Sequence, residues 1–299
     1  LLLLPMAIPA YIMAYSYTGL LDFAGPVQSQ LRLWFDWSYG DYYFPEIRSL
    51  PGAILMLSLV LYPYVYMLAR TAFRQQSGSL LEASRTLGFT PRQHFWLVAL
   101  PVARPAILTG SALAMMEALA DYGTVQYFGV TTFTTGIFRT WFGMGNQVGA
   151  AQLSALLCSF VLLLLYLEQW SRRKLKFYQQ GQKQQEPTRQ AVKGLAGFGL
   201  LLLCLVPVLL GFLLPALQLL GWAWERVDQL FSPDFIQLLI NSFSLAALTA
   251  LVTASLAICF AYGKRLSGHW SLVLPVRLAA MGYALPGTVI AIGVMIPLA

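Results

Sequence analysis

The sequence predicts an all-α, polytopic membrane protein, and three observations lead to this class. Hydrophobic residues make up 58% of the 299-residue chain and charged residues only 10%, and the mean hydropathy is +0.65. Soluble domains contain about 25% charged residues. Apolar segments also recur at a length of about 20 residues, which a helix needs to cross a bilayer. Finally, the charges between these segments are sorted by sign.

Seven segments are long and apolar enough, or nearly so, to be membrane spans. They cover approximately residues 1–20, 49–69, 105–122, 147–167, 194–220, 236–262 and 275–299. The chain has no initiating methionine and stops within an apolar run, so we expect an internal fragment of a longer protein without a signal peptide. Three isolated cysteines, Cys158, Cys204 and Cys259, lie in these segments and form neither a disulfide pattern nor a metal pattern.

The basic residues are concentrated in three loops between the predicted spans. Loops 70–104, 168–193 and 263–277 contain 15 of the 19 Lys and Arg residues but only three of the 12 acidic residues. Loops rich in Lys and Arg stay on the cytoplasmic side of a membrane. These loops are therefore predicted to face the cytoplasm. Topology explains the net charge of +7, so nucleic-acid binding is not needed to account for it.

One of these loops contains a predicted pair of short helices that meet at a glycine corner, residues 79–101. Ser79 and Glu82 have the spacing of a capping box at the start of the first helix. Gly88 lies where a helix ends in the left-handed conformation. Thr90 then begins a Thr-Pro-Arg-Gln run, which gives the second helix a cap, a first-position proline and a second capping box. The apolar side of this hairpin suits a groove on a partner protein, the alternative being that it rests on its own chain.

The spacing of Glu82-Ala83-Ser84, Gly88, Val98 and Leu100-Pro101 resembles the EAA loop of bacterial ABC-transporter permeases. The family pattern has alanine where this chain has Ser84 and isoleucine where it has Val98, and both replacements are close in size. The resemblance implies the type I importer permease (MetI-like) fold. It also implies that the loop docks into an ATP-hydrolysing subunit. The docking residues implied are Glu82, Ala83, Ser84, Leu87, Gly88, Phe89 and Pro101.

Two carboxylates mark a candidate translocation path. Glu117 and Asp121 are four residues apart in an otherwise apolar segment, so they are predicted to share one helix face. Carboxylates within a span usually line a polar path or pair with a cation. The alternative is that both lie in the outer interface, where charge costs little. Arg139 is a candidate partner for either acid, and Tyr122 belongs to the same candidate path.

Residues 123–146 are apolar but interrupted by glycines and threonines, which predicts an outer loop or a short re-entrant piece. The run from Glu117 to Gly145 resembles permeases of the ferric-iron branch of the family. That resemblance implies ferric iron as the solute. Carriers of thiamine, phosphonate or polyamines in the same superfamily are the alternatives.

A short repeat suggests an internal duplication. Residues 8–15, IPAYIMAY, resemble residues 285–292, LPGTVIAI, at an offset of 277 positions, and both are expected to cross the membrane outward. Two fused modules of six spans each would account for this, with a second Glu-Ala loop 277 positions after Glu82. The predicted parts are 1–168 (back of the first module), 169–193 (flexible cytoplasmic linker) and 194–299 (front of the second module).

The chain lacks the signals of an ATPase or a metalloenzyme. The Gly263-Lys264 pair lacks the glycine that a phosphate-binding loop requires five positions earlier. His94 and His269 are far apart and are interpreted as loop residues. We therefore expect a chain that is not an enzyme and that binds no metal and no cofactor of its own, with ATP used by a partner subunit.

The resemblance implies the membrane permease of an ATP-driven importer in the bacterial cytoplasmic (inner) membrane. The implied partners are a cytoplasmic ATPase subunit in two copies, a periplasmic or extracellular solute-binding protein and the lipid bilayer. An ion-coupled secondary transporter is the alternative from another class. It would need coupling-ion sites deep in its spans, where this chain has almost no ionisable groups apart from Glu117.

Overall fold

The computed structural model describes residues 1–38, 40–76, 78–173, 192–228, 232–266, 282 and 285–296, and the regular structure in these ranges is helical. The chain divides into two units, 1–215 with 286–299, and 216–285. The α-helices are α1 Ala10–Leu21, α2 Pro26–Phe35, α3 Leu50–Gln75, α4 Gly78–Thr86, α5 Pro91–His94, α6 Leu100–Ala120, α7 Gly123–Tyr127, α8 Phe133–Phe138, α9 Gln147–Arg173, α10 Gly194–Val208, α11 Leu214–Glu225, α12 Pro233–Leu266 and α13 Gly287–Met295. The predicted all-α class is confirmed.

Within the described ranges, five helices are long and apolar enough to cross a membrane. They are Leu50–Gln75, Pro91–Ala120, Gln147–Trp170, Gly194–Glu225 and Pro233–Gly263, each with 24 to 32 residues. The predicted spans at 49–69, 105–122, 147–167, 194–220 and 236–262 coincide with them. The chain is therefore a multi-pass membrane protein.

The first predicted span, residues 1–20, is broken into two pieces. A short 3₁₀ helix, Leu4–Ala7, precedes α1, and Pro9 separates them with an extended backbone at φ −56° and ψ 141°. Proline has no N–H to continue a helical ladder, but it is well placed just before a new helix. The 12 residues of α1 extend about 18 Å. In the last predicted span, 275–299, the structure describes α13, and most of the other residues lie outside the described ranges.

The second helix of the predicted hairpin is not separate from the following span. It continues from Pro91 to Ala120 through a π-helical turn at Phe95–Ala99, where the Leu100 N–H bonds to the Phe95 carbonyl. A π turn inserts one extra residue without ending the helix. It allows the helix to pass Pro101, which has no N–H to donate. The helix that contains the predicted span 105–122 therefore begins at Pro91.

The core of the first unit lies where α1 packs on α3. Met13 and Ala14 on α1, with Met56 on α3, are fully buried in one apolar cluster. Helices α3 and α6 pack against each other along their length. At Gly110 on α6, an added Cβ would lie 2.7 Å from the Val65 Cα. Small residues permit such close helix approach in membranes.

Helix α10, the first helix after the predicted linker, packs within the first unit through a second π turn, Leu209–Leu213. There the Leu214 N–H bonds to the Leu209 carbonyl, and the next residue is Pro215, which has no N–H for the Leu210 carbonyl. The Tyr17 hydroxyl donates to that Leu210 carbonyl at 2.7 Å. An interaction across 193 residues of sequence therefore satisfies a backbone group that a proline leaves without a donor.

Replacing Tyr17 by phenylalanine is expected to destabilise the fold by about 1 kcal/mol, the usual range for a hydrogen bond between membrane helices. For a chain of this size, that is a fall in melting temperature of roughly 2–4 °C. Thermal unfolding in detergent measures it. Tyr43→Phe is the control, since Tyr43 is 90% exposed. An unchanged melting temperature for Tyr17→Phe would show that the Leu210 carbonyl finds another donor.

Candidate functional site

The glycine corner of the 79–101 hairpin is a Schellman motif at the end of α4. The Phe89 N–H bonds to the Ser84 carbonyl at 3.0 Å, and the Gly88 N–H bonds to the Arg85 carbonyl at 2.9 Å. Gly88 has a φ of +78°, in the left-handed region. This pair of bonds and a left-handed glycine define the motif. The predicted role of Gly88 in ending the first helix is confirmed.

The second helix of the hairpin starts with the predicted capping box. The Thr90 Oγ1 accepts from the Gln93 N–H at 3.3 Å, and the Gln93 Oε1 accepts from the Thr90 N–H at 2.9 Å. The first predicted capping box, Ser79 with Glu82, stays a prediction. Helix α4 begins at Gly78, and the side chain of Ser79 lies outside the described residues.

A hydrogen bond links the two helices of the hairpin across the corner. The Ser84 hydroxyl and the His94 Nδ1 are 2.7 Å apart, and Ser84 is only 4% exposed. His94 is the last residue of α5, so its interpretation as a loop residue was wrong. His269 lies outside the described residues. The Ser84–His94 contact depends on the corner that Gly88 makes, so sequence spacing alone gave no signal for it.

The hairpin is also attached to the end of α3. The Gln76 side-chain amide donates to the Ala99 carbonyl at 2.7 Å. The rings of Phe73 and Phe95 stack with centroids 6.1 Å apart. Because the second hairpin helix continues into α6, the hairpin is joined to both α3 and α6. The sequence reasoning did not identify Phe73, Gln76 or Phe95.

The surface of the hairpin combines exposed apolar side chains with one acid. Leu87 beside the corner is 73% exposed, and Trp96 and Leu97 on the π turn are also exposed. Of the predicted docking residues, Glu82, Ala83, Leu87, Gly88 and Pro101 are exposed, Phe89 is half-buried and Ser84 is buried. The exposed apolar side chains can bind in an apolar groove of a partner. The buried Ser84 meanwhile holds the two helices of the hairpin together.

At the other end of α6, Asp121 does not continue the helix. Helix α6 ends at Ala120, and Asp121 has an extended backbone at φ −64° and ψ 130°. Its φ is still helical, so the expectation that Glu117 and Asp121 share one helix face stays a prediction. The Asp121 carboxylate also caps α7 from the position before the N-cap Tyr122, because it accepts from the Val125 N–H at 3.1 Å and from the Thr124 hydroxyl at 3.0 Å. An acceptor at a helix N-terminus satisfies amides that have no partner within the helix.

The other candidate path residues lie near this end of α6. The Tyr122 ring lies 4.5 Å from the Phe138 ring. Arg139 is exposed, and within the described residues it forms no ion pair with Asp121. Glu117 is half-buried on α6, and its pairing with Arg139 stays a prediction. The short helices α7 and α8 confirm that residues 123–146 do not form a simple span.

Two substitutions of Asp121 distinguish the effect of its hydrogen bonds to α7 from the effect of its negative charge. Asp121→Ala is expected to cost about 1 kcal/mol, within the range for loss of a helix cap, and to lower the melting temperature in detergent. Asp121→Asn removes the charge but retains a side-chain acceptor, so it is expected to melt close to the native protein and to retain transport. Loss of transport in the stable asparagine variant would show that the charge itself is needed.

The chain matches the family described as "Binding-protein-dependent transport system inner membrane component" over residues 1–176, more than half of its length. It is similar to the Fe(3+)-transport system permease protein FbpB 2 of Haemophilus influenzae, with 26% identity over 98% of the chain and 54% of the relative. It is also similar to the molybdenum transport system permease protein ModB of Haemophilus influenzae, with 27% identity over 58% of the chain and 75% of that relative.

A third relative is the putative 2-aminoethylphosphonate transport system permease protein PhnU of Salmonella typhimurium, with 28% identity over 44% of the chain and 45% of the relative. No solved structure matches the chain. The chain spans about half the length of the FbpB 2 relative. The family description names a transport component rather than an enzyme, in agreement with the expectation for this chain. With its described helices and the match over residues 1–176, the chain belongs to the binding-protein-dependent transport system inner membrane component family.

Proposed function

We propose that the full-length protein is the permease of an ATP-driven importer in a bacterial cytoplasmic membrane. In this proposal the 79–101 hairpin docks into a separate ATPase subunit, and an external solute-binding protein delivers the solute. Loops 70–104, 168–193 and 263–277 face the cytoplasm. The chain itself needs no cofactor, because the partner subunit uses the ATP.

The observation that carries this proposal is the construction of the hairpin. Its exposed Leu87 lies beside the Gly88 corner, and its second helix continues through the π turn into α6. The bond from Gln76 to Ala99 attaches the same turn to α3. A push on the corner therefore displaces two packed spans. A conformational change follows only if a partner contacts its two states differently, which nucleotide-driven closure of an ATPase pair provides.

Ferric iron is the proposed solute. A relative that aligns over 98% of the chain is a Fe(3+)-transport system permease, whereas the molybdenum and 2-aminoethylphosphonate permeases align over 58% and 44% of the chain. Glu117, Asp121, Tyr122 and Arg139 are proposed to lie along the path, with Asp121 fixing the outer corner.

Uptake measurements test the solute. Cells lacking the gene are expected to lose binding-protein-dependent uptake of radioactive ferric iron and to regain it with the restored gene. Uptake of molybdate and 2-aminoethylphosphonate is expected to be unchanged in the same cells. Unchanged ferric-iron uptake, with loss of either of the other solutes, would contradict the proposed substrate.

We further propose that residues 1–168 and 194–299 belong to two fused modules joined by the linker 169–193. The length of the FbpB 2 relative supports this, since nearly the whole chain covers only 54% of it. Sequencing the intact gene tests it: a second Glu-Ala loop should occur about 277 positions after Glu82. Its absence from a chain that continues past that position would contradict the duplication.

A further inference from the structure

Two helices that lie 277 positions apart in the sequence begin in the same way. Pro9 precedes α1 with φ −56° and ψ 141°, and Pro286 precedes α13 with φ −57° and ψ 135°. Both prolines are N-caps, and neither helix has a side-chain cap. The offset equals that of the sequence repeat. Helices α1 and α13 are therefore treated as counterparts in the two modules.

These counterparts pack against different neighbours. Helix α1 packs on α3, where Met13, Ala14 and Tyr17 are buried. Helix α13 packs on α8 and α9, where Ile292 is 1% exposed beside Ile137 and Leu157. If α13 belongs to the second module, the contact of α13 with α8 and α9 is a contact between the two modules. The contact of α1 with α3 is within the first module.

The faces that the two helices bury are complementary under the offset of 277. Ile292 is buried, and its counterpart Tyr15 is 44% exposed. Thr288 is buried, and its counterpart Tyr11 is 46% exposed.

The opposite face shows the reverse pattern. Met13 is fully buried, and its counterpart Ile290 is 46% exposed. Tyr17 is 6% exposed, and its counterpart Val294 is 58% exposed. Each helix therefore exposes the face that its counterpart buries.

We infer that the Tyr11–Tyr15 face of α1 is an interface with the second module, and that its occupant is the second module's counterparts of α8 and α9. Two equivalent modules make reciprocal contacts, so that a contact of α13 with α8 and α9 requires the same contact of α1 with their counterparts. Tyr11 and Tyr15 already pack edge-on against Tyr127 at 5.7 and 6.0 Å, which holds both rings in place. The inference rests on the proposed two-module organisation.

Cysteine cross-linking of the full-length protein in its membrane tests this interface. The native cysteines are first replaced by serine. The reference pair is Ile137→Cys with Ile292→Cys, which lie in one buried cluster. The test pair is Tyr15→Cys with a cysteine 277 positions after Ile137. The control pair combines the cysteine placed 277 positions after Ile137 with Met13→Cys, on the opposite face of α1.

The test pair is expected to cross-link with a yield within about twofold of the reference pair, and the Met13 pair to remain at background, because cross-linking follows the face that packs. Linking of the reference pair without the test pair would overturn the inference, as would an absent reference cross-link. If the test pair fails to cross-link while solute uptake is intact, the proposed interface is wrong and the transport proposal still stands.

A labelling measurement covers the case in which a cysteine pair prevents folding. Tyr11→Cys alone is expected to react with a membrane-permeant maleimide at least about tenfold more slowly in the membrane than after denaturation in SDS, because a packed face reacts only when it opens. Equal rates would overturn the inference.

Discussion

Replacing Gly110 by leucine is expected to prevent stable packing of α3 against α6. The Cβ alone would lie 2.7 Å from the Val65 Cα and 3.1 Å from the Tyr64 carbonyl oxygen. Both atoms belong to the backbone of α3, so no side-chain rotation relieves the clash. Overpacking of a core commonly costs about 1–3 kcal/mol, and a backbone clash lies at the upper end or beyond. We expect a loss of folded protein from the membrane, or a melting temperature lower by roughly 6 °C or more.

Gly199 on α10 provides the matched control. A Cβ at Gly199 meets no atom within 4 Å, and its backbone is helical. Gly199→Leu is therefore expected to express and melt like the native protein. A Gly110→Leu variant that melts within about 1 °C of the native protein would show that α3 and α6 do not cross this closely.

Replacing Gly88 by valine is expected to uncouple ATP hydrolysis from solute uptake while the spans stay folded. No atom lies within 4 Å of a Cβ built at Gly88, so the cost comes from its φ of +78° rather than from a clash. A left-handed backbone costs roughly 1–2 kcal/mol for an ordinary residue, and more for a β-branched one. That energy shifts a conformational equilibrium by roughly 5–30-fold. The corner would open, and the Ser84–His94 hydrogen bond across it would be lost.

Uptake by reconstituted transporter, measured beside ATP hydrolysis, provides the test. The amount of solute moved per ATP is expected to fall about fivefold or more in Gly88→Val. Gly88→Asn is the control, because asparagine adopts the left-handed conformation more readily than other side chains. It is expected to retain most of the coupling. Equal coupling in the native and valine proteins would mean that the corner conformation does not control transport.

The local features of the hairpin could be predicted from the sequence because their signals lie within a few residues. Gly88 and the Thr90 capping box depend only on nearby backbone groups, and both are confirmed. The apolar segments likewise predicted the spans, since a bilayer sets their length. The Ser79 capping box stays a prediction, because the side chain of Ser79 lies outside the described residues.

Other features depend on tertiary contacts or on a choice between two local structures. Asp121 has a spacing that suits the face of α6, but its carboxylate also accepts from the Val125 N–H of α7, and the spacing gave no signal for that contact. The π turn before Pro101 and the Tyr17–Leu210 hydrogen bond compensate for the backbone N–H groups that prolines lack. The Ser84–His94 bond and the Gly110 crossing require knowledge of which helices meet.

The central claim is that the 79–101 hairpin lies in the cytoplasm against an ATPase subunit, and cross-linking from Leu87 tests it most directly. A cysteine at Leu87, which is 73% exposed beside the corner, carries a short photo-crosslinker in membranes that contain the assembled transporter. We expect a cross-link to a nucleotide-hydrolysing subunit, and labelling by impermeant maleimide only when the cytoplasmic side is open. Labelling from the outer side of intact cells, or a native transporter that takes up its solute without any such subunit, would contradict the claim.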